Sequence, residues 1–115
     1  MVNRSKAKGS LAERQVADYL INAGIPCERI PAGATHDRGD LWVPLANFPS
    51  IDVKNQKQMT LAGWVDRAGE QAHNAARSAG IVWHKRSGKS SPGDWYVTCS
   101  GASFVALMRQ KGEKT

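Results

Sequence analysis

A carboxylate and a lysine two positions apart mark the part of this 115-residue chain that is best suited to chemistry. Side chains alternate along a strand, so in the strand candidate at 51–55 Asp52 and Lys54 emerge on one face. Asp40 lies in the preceding strand candidate and joins them if the two strands pair as a hairpin with neighbouring registers. The sequence therefore predicts two carboxylates and an amine that converge at one point.

Glu13 is a possible third acid. On the first predicted helix it projects only about 20° from Leu20, at the edge of the face turned toward the sheet. A carboxylate in that position needs a partner. The alternative is a capping box, in which Ser10 is the N-cap and Glu13 reaches back to its backbone N–H. Taken alone, the spacing favours the cap.

Grouped carboxylates repel one another unless a hard cation joins them, and Mg²⁺ prefers oxygen ligands while keeping several waters. A metal held by Asp40 and Asp52, with Glu13 as a possible third ligand, would polarise a phosphate and lower the pKa of a bound water. Lys54 would offset the developing negative charge or orient the nucleophile. These residues predict metal-dependent phosphodiester hydrolysis. The alternative is an exposed Asp52–Lys54 ion pair, worth about 0.2–1 kcal/mol.

The composition points to a polyanionic partner. The chain has 16 Lys and Arg against 10 Asp and Glu, a formal charge of +6 and a pI near 9.7. Such a balance attracts nucleic acid, although a solvated face that aids solubility explains the same charge. With 41% hydrophobic and 23% charged residues, disorder and collagen-like repeats are excluded. No apolar run approaches the roughly 18 residues of a membrane span.

The chain is expected to be one domain, 1–115, with a basic N-terminal arm at 1–9 and a frayed tail at 111–115. Cys27 and Cys99 lie far apart and no signal-peptide core precedes them, so we expect a cytoplasmic protein with reduced thiols packed as small hydrophobes. The histidines, His36, His73 and His84, lack the paired spacing of zinc ligands.

Hydrophobic periodicity predicts the elements that position these residues. A helix at 10–23 is ended by Gly24 and Pro26, and an Ala-rich helix at 61–79 is closed by Gly80. Strands are predicted at 27–30, 40–43, 51–55, 81–86 and 95–99, with a flexible hairpin loop at 87–94. Ser100 caps a last helix. The order predicts an α/β fold with one mixed central sheet flanked by helices.

These residues resemble a known family, the PD-(D/E)XK nuclease superfamily, and within it the small archaeal and phage Holliday-junction resolvases. The resemblance covers nearly the whole chain. Those enzymes open the first helix with Lys-Gly-Ser and a following Glu-Arg, matched here by Lys8-Gly9-Ser10 and Glu13-Arg14. Their second-motif acid is matched by Gly39-Asp40 and their acid-x-Lys by Asp52-Val53-Lys54. Gly39 replaces the proline that names the superfamily.

The resemblance implies a restriction-endonuclease-like αβββαβ core and an endonuclease for branched DNA, above all Holliday junctions in recombination and repair. It implies Glu13, Asp40 and Asp52 as ligands of Mg²⁺, with Mn²⁺ a plausible substitute, and Lys54 as the catalytic lysine. Some members place a glutamine near the metal, which suggests Gln71 as site support; a solvated flank residue is the alternative. A phage-encoded resolvase would act in the cytoplasm of its bacterial or archaeal host.

Basic residues around the acids are expected to hold DNA phosphates. The predicted DNA-binding residues are Lys6, Lys8, Ser10, Arg14, Arg38, Lys57, Lys85, Arg86 and Lys89. Nothing resembles a helix-turn-helix or a zinc finger, so recognition by shape and backbone is expected. Resolution of a junction needs two symmetric cuts, which predicts a homodimer. The alternatives are a nuclease for flaps, mismatches or linear duplex, and a non-catalytic DNA-binding module.

Overall fold

The computed structural model describes residues 4–31 and 37–112, which form three helices and one mixed five-stranded sheet. The elements in chain order are α1 (Arg4–Asn22), β1 (Glu28–Arg29), β2 (Leu41–Trp42), β3 (Ser50–Lys54), α2 (Leu61–Asn74), β4 (Gly80–His84), β5 (Tyr96–Thr98) and α3 (Gly101–Gly112). A short 3₁₀ turn, Pro92–Asp94, precedes β5. The predicted α/β class and the predicted order of elements are confirmed.

The strands lie side by side in chain order, β1-β2-β3-β4-β5. β3 and β4 are parallel and the other neighbours are antiparallel. A parallel pair needs a crossover connection, and α2 supplies it. The central pair runs in register from Ser50 opposite Gly80 to Lys54 opposite His84. The carboxyl ends of β3 and β4 therefore meet at one edge of the sheet.

The two faces of the sheet are covered by different helices. α1 buries an apolar stripe that includes Val16 and Leu20 against Ile51 and Val53 of β3. On the other face Trp64 and Ala68 of α2 pack on Val82 of β4. Because side chains alternate along β3, Asp52 and Lys54 project toward the opposite face of the sheet, where α2 lies.

α1 begins six residues earlier than predicted. Residues 4–9, placed in an N-terminal arm by the sequence, form its first turns, while residues 1–3 lie outside the described residues. Ser10 is consequently inside the helix, and the predicted capping box with Glu13 is wrong. Arg, Lys and Ala are strong helix formers and extend the helix through Gly9, which an N-cap rule takes as a boundary. Gly24, at φ +89°, ends the helix as predicted.

α2 ends at Asn74, five residues before the predicted end. Ala76 takes a left-handed conformation at φ 54°, and the Arg77 N–H donates to the Ala72 carbonyl at 2.8 Å, which closes the helix with a Schellman-type turn. Ala is an unusual residue for that position, so no glycine or asparagine marks the end of the helix in the sequence. Gly80 does not close the helix but begins β4.

The segment 87–94 is anchored at both ends of its turn. The indole N–H of Trp83 donates to the Pro92 carbonyl at 3.1 Å, and that of Trp95 donates to the Lys89 carbonyl at 2.8 Å. Tyr19 of α1 lies against Gly93. The segment is thus packed on the domain rather than a free hairpin loop, which the glycines and serines had suggested.

The last helix, α3, begins directly after Ser100, its predicted N-cap. The Ser103 N–H donates to the Ser100 hydroxyl at 3.1 Å, which confirms Ser100 as the N-cap of α3. α3 runs to Gly112, and residues 113–115 of the predicted frayed tail lie outside the described residues.

Cys27 and Cys99 are free, half-buried and packed against the core. None of the described helices is long and apolar enough to cross a membrane.

Gly80 is required because α2 lies directly on it. A Cβ at this position would stand 2.0 Å from the Ala68 carbonyl oxygen, which is backbone and cannot swing away. We expect Gly80→Ala to lower the free energy of unfolding by about 3 kcal/mol or more, measured by urea denaturation. Gly69→Ala on α2 is the matched control, because nothing lies within 4 Å of its Cβ. That variant should gain about 0.5–1 kcal/mol; equal losses in both would contradict the close approach.

Candidate active site

Asp52 is a buried carboxylate at the centre of the sheet. Its side chain is 3% exposed, and Lys54, two residues further along β3, brings its Nζ within 3.4 Å of Asp52 Oδ2. The Lys54 side chain is 21% exposed, so its amine stands between the buried carboxylate and solvent. The predicted shared face is confirmed, and the alternative of a solvent-exposed ion pair is wrong. A buried pair of this kind carries a large desolvation cost, which a role in stability alone does not account for.

Asp40 is fixed beside β3 through its backbone and its side chain. Its N–H donates to the Ile51 carbonyl at 2.8 Å, and its Oδ2 accepts the Val53 N–H at 2.8 Å. The preceding Gly39 has a φ of +98°, and a Cβ there would lie 2.8 Å from the Ile51 carbonyl oxygen. Proline, with φ held near about −65°, cannot take this conformation. The backbone geometry thus explains why glycine precedes the acid.

The two carboxyl groups are close enough to interact strongly. Burial, and then the charge of Asp52, raises the pKa of Asp40 from its ordinary value of 3.8 to about 8. The charge of Glu13 acts in the same direction with smaller effect. Near neutral pH the metal-free protein therefore favours the protonated form of Asp40, because its partial burial and the adjacent Asp52 charge both oppose its ionisation.

Gln71 ties α2 to this pair. It is 2% exposed, and its Nε2 donates to Asp52 Oδ1 at 3.2 Å and to Asp37 Oδ2 at 3.0 Å. The alternative of a solvated flank residue is therefore wrong, and Gln71 holds Asp52 in place. The sequence placed Gln71 correctly at the edge of the buried helix face.

Asp37 is a site neighbour that sequence reasoning missed. Its Oδ1 accepts the Gly39 N–H at 3.1 Å, and Arg67 of α2 lies 2.7 Å from its Oδ2. Although burial opposes it, hydrogen bonds from Gln71 and Gly39 together with the Arg67 charge hold the pKa of Asp37 below its usual value. An Asp two residues before a glycine is typical of an Asx turn, and that signal could have marked it.

Glu13 lies on α1, on the other face of the sheet, and is paired with a cation. Arg29 of β1 donates to Glu13 Oε1 at 3.2 Å, with the two side chains 42% and 20% exposed. Glu13 contributes to the electrostatics of Asp40 but makes its direct contact with Arg29 instead. The structure thus brings together Asp40, Asp52 and Lys54, and leaves Glu13 at their margin.

The donor set around Asp52 suits a cation coordinated largely by water. Asp52 Oδ2 and Gln71 Oε1 are buried acceptors that receive no hydrogen bond in the described part of the chain. Among residues 4–31 and 37–112, no group of three or more His, Cys, Asp or Glu is arranged to hold a metal. Mg²⁺ commonly takes one or two carboxylates and keeps several waters. Asp40 and Asp52 fit that requirement, whereas the three-carboxylate set with Glu13 remains a prediction.

A basic groove of about 540 Å³ begins where β3 and β4 end. Four of the predicted DNA-binding residues line it, namely Lys8, Lys57, Lys85 and Arg86, and no acidic residue among those that the structure describes does so. The groove also includes His84, the register partner of Lys54, so it begins one strand away from the position of Lys54. A phosphate backbone is the ligand that such a surface attracts.

The other predicted DNA-binding residues lie elsewhere. Lys6, Ser10, Arg14, Arg38 and Lys89 do not line the groove. Ser10 is half-buried within α1, and Arg38 lies over the Trp42 ring at 5.6 Å from its centre. Their roles remain predictions that depend on how far a bound duplex extends.

His84 forms one wall of the groove and was missed as a site neighbour. It is 5% exposed, and its Nε2 lies 2.8 Å from the Thr98 hydroxyl. Its ring lies between those of Trp64 and Tyr96, at 5.8 and 5.9 Å between centres. Burial lowers the pKa of His84, so the ring is neutral at pH 7. The positive charge of the groove comes from its lysines and arginine.

Comparison of the chain with protein families, with curated proteins and with solved structures finds no match.

Asp40 makes the stability of the metal-free protein fall as the pH rises. Its folded-state pKa of about 8 lies above its ordinary 3.8, so the native state binds the extra proton and loses that advantage between these values. We expect Asp40→Asn, which keeps an acceptor for the Val53 N–H, to be more stable than the wild type at pH 9 by about 2 kcal/mol or more. The difference should shrink toward pH 4. Urea denaturation in EDTA measures it.

The matched control is Asp66→Asn, which removes a negative charge from an exposed position on α2. Its stability should follow the wild-type pH profile. If Asp40→Asn also follows that profile, the two carboxyl groups do not interact as described.

Proposed function

We propose that this chain is a Mg²⁺-dependent endonuclease that cleaves phosphodiester bonds in branched DNA, with four-way junctions as its preferred substrate. The observation that carries the proposal is the pair formed by the buried Asp52 and the half-buried Asp40, with the Lys54 amine 3.4 Å from Asp52 and a basic groove alongside. A pure DNA-binding module gains nothing from buried carboxylates next to phosphates, because they repel the ligand.

The order and pairing of the elements support the same proposal. α1, β1, β2, β3, α2 and β4 follow one another with a parallel β3–β4 pair joined through α2. This is the αβββαβ order implied by the resemblance to PD-(D/E)XK nucleases. We propose a restriction-endonuclease-like core on this basis.

Asp40 and Asp52 would hold the metal, which when bound supplies a positive charge for the scissile phosphate and an acidified water. The chain's own residues do the positioning. Gln71 fixes Asp52 through Oδ1, while Oδ2 receives no hydrogen bond in the described part of the chain and faces the Lys54 ammonium at 3.4 Å. The Val53 N–H fixes Asp40 through Oδ2 at 2.8 Å. Both carboxylates are thus oriented before substrate arrives, which lowers the cost of reaching the reactive geometry.

Lys54 is placed to act on the substrate. Its ammonium group lies at the solvent side of Asp52, where it can contact a phosphate oxygen or orient the attacking water. The groove cations, Lys57, Lys85 and Arg86, continue outward from that point and would bind the strand on one side of the cut. The site thus combines an acidic centre for the metal with a basic surface for the DNA.

Substitution of the central residues separates catalysis from binding. We expect Asp52→Asn and Lys54→Met each to reduce the rate of junction cleavage by at least about 100-fold, because each removes a group that acts on the scissile phosphate. Junction binding in EDTA should stay close to wild type. The control is Asp66→Asn, whose carboxylate is exposed on α2. Wild-type cleavage by Asp52→Asn would refute this site.

A panel of labelled substrates tests the preference for branched DNA. Four-way junction, flap, mismatched duplex and linear duplex are incubated with the protein in Mg²⁺, and we expect the junction to be cut fastest. Equal cleavage of linear duplex contradicts the resolvase function and favours a less selective nuclease. Tight binding of every substrate without cleavage favours a non-catalytic module.

Paired incision of a junction requires two active sites, and each chain offers one acid pair. We propose that the protein acts as a twofold homodimer. Light scattering of the protein bound to a four-way junction in EDTA should give two 12.5-kDa chains per junction. A complex that contains a single chain contradicts the dimer.

A further inference from the structure

Tyr96 is a large exposed aromatic residue in the basic groove, and phosphate binding does not explain it. Its side chain is 51% exposed and lines the groove together with the lysines and Arg86. A solvent-exposed aromatic ring among cations is an unusual arrangement for a surface that serves only to attract charge. Met59, which is 59% exposed, adds a second apolar side chain to the same groove.

The sheet holds Tyr96 on the same face as the acid pair. Tyr96 is the register partner of His84, and His84 is the partner of Lys54, so the three side chains lie in one row across β3, β4 and β5. The His84 ring supports Tyr96 from within the sheet at 5.9 Å between centres. The position of the ring is therefore set by strand register and by a buried neighbour.

Arg86 adds a cation to the exposed ring. Its guanidinium carbon lies 5.2 Å from the centre of the Tyr96 ring. Every base has a flat π-face, and stacking of a base on an aromatic side chain contributes about 1–3 kcal/mol per base without regard to sequence. The guanidinium lies over part of the ring, so a base can stack on the part of Tyr96 that stays exposed while Arg86 binds the phosphate of the same nucleotide. Ring and cations together suit a nucleotide whose base is out of the duplex.

We propose that the groove binds an unpaired nucleotide of DNA beside the scissile phosphate, with its base stacked on Tyr96 and its backbone held by Lys57, Lys85 and Arg86. The proposal rests on the proposed function for DNA as the ligand. A base within continuous duplex has both faces stacked and cannot reach the ring. The subsite therefore selects DNA with an accessible unpaired base, such as a flap or a branch point whose central base pairs are opened, over uninterrupted duplex.

Two oligomers of equal charge test this subsite by fluorescence anisotropy in EDTA, where no strand is cut. One is a 12-nucleotide oligothymidylate and the other is an abasic 12-mer with the same deoxyribose-phosphate backbone. The wild-type protein should bind the oligothymidylate about 5- to 100-fold more tightly, as one or a few stacked bases predict. Equal affinity for the two oligomers would overturn the proposal, and this comparison needs no variant.

Variants then assign the preference to the ring. Tyr96→Leu keeps an apolar side chain against His84 but has no π-face, so it should bind both oligomers equally. Tyr96→Phe should keep the preference. The matched control is Phe104→Leu, a change at a 54% exposed aromatic residue of α3 that does not line the groove, which should also keep it. A preference that survives in a folded Tyr96→Leu protein, checked by circular dichroism, would overturn the role of Tyr96.

The assay also separates this proposal from the nuclease function. A protein that prefers the oligothymidylate but cuts no DNA in Mg²⁺ supports the subsite and contradicts the endonuclease. A protein that cuts junctions but binds the two oligomers equally supports the endonuclease and contradicts the subsite.

Discussion

Two carboxyl groups that do not both ionise at neutral pH occupy one point of this fold, and the other features of the site follow from that constraint. Asp40 and Asp52 are brought together by hydrogen bonds of the β2–β3 region and are largely removed from water. Without a cation the pair keeps a proton, and the pKa of Asp40 rises to about 8. Such an arrangement lowers the stability of the folded chain. Groups of this kind are typical of functional sites, and this pair is suited to bind a positive charge.

β3 serves both the core and the site because its side chains alternate. Ile51 and Val53 pack against α1, while Asp52 and Lys54 face α2. The parallel register with β4 then sets what lies beyond the lysine, placing His84 and the groove at the end of the sheet. A shift of one residue in this register would bury Asp52 and Lys54 in the α1 core. The packing of Ile51 and Val53 against α1 excludes that shift. Core packing therefore fixes the position of the site.

The parts of this architecture that follow from local patterns could be predicted from the sequence. Alternation along 51–55 predicted the shared face of Asp52 and Lys54, helical periodicity placed Gln71 at the edge of a buried face, and Ser100 was identified as a cap. Residues that depend on contacts between distant segments were missed. Asp37 reaches the site through Gln71 and Arg67 of α2. Glu13 was identified, but its ion pair with Arg29 was not. The early start of α1 and the αL turn at Ala76 oppose the usual boundary signals, so local rules misplaced both helix ends.

We propose the acid pair as the place where a metal and a phosphodiester bond meet, next to a basic groove that would bind DNA. The most direct test is cleavage of a synthetic four-way junction by the purified protein, first in Mg²⁺ and then in the same buffer with excess EDTA. We predict incision in Mg²⁺, no incision in EDTA, and recovery of incision when Mg²⁺ is restored. Incision that persists undiminished in EDTA, or no incision in either condition although the junction is bound, would contradict the proposed Mg²⁺-dependent nuclease.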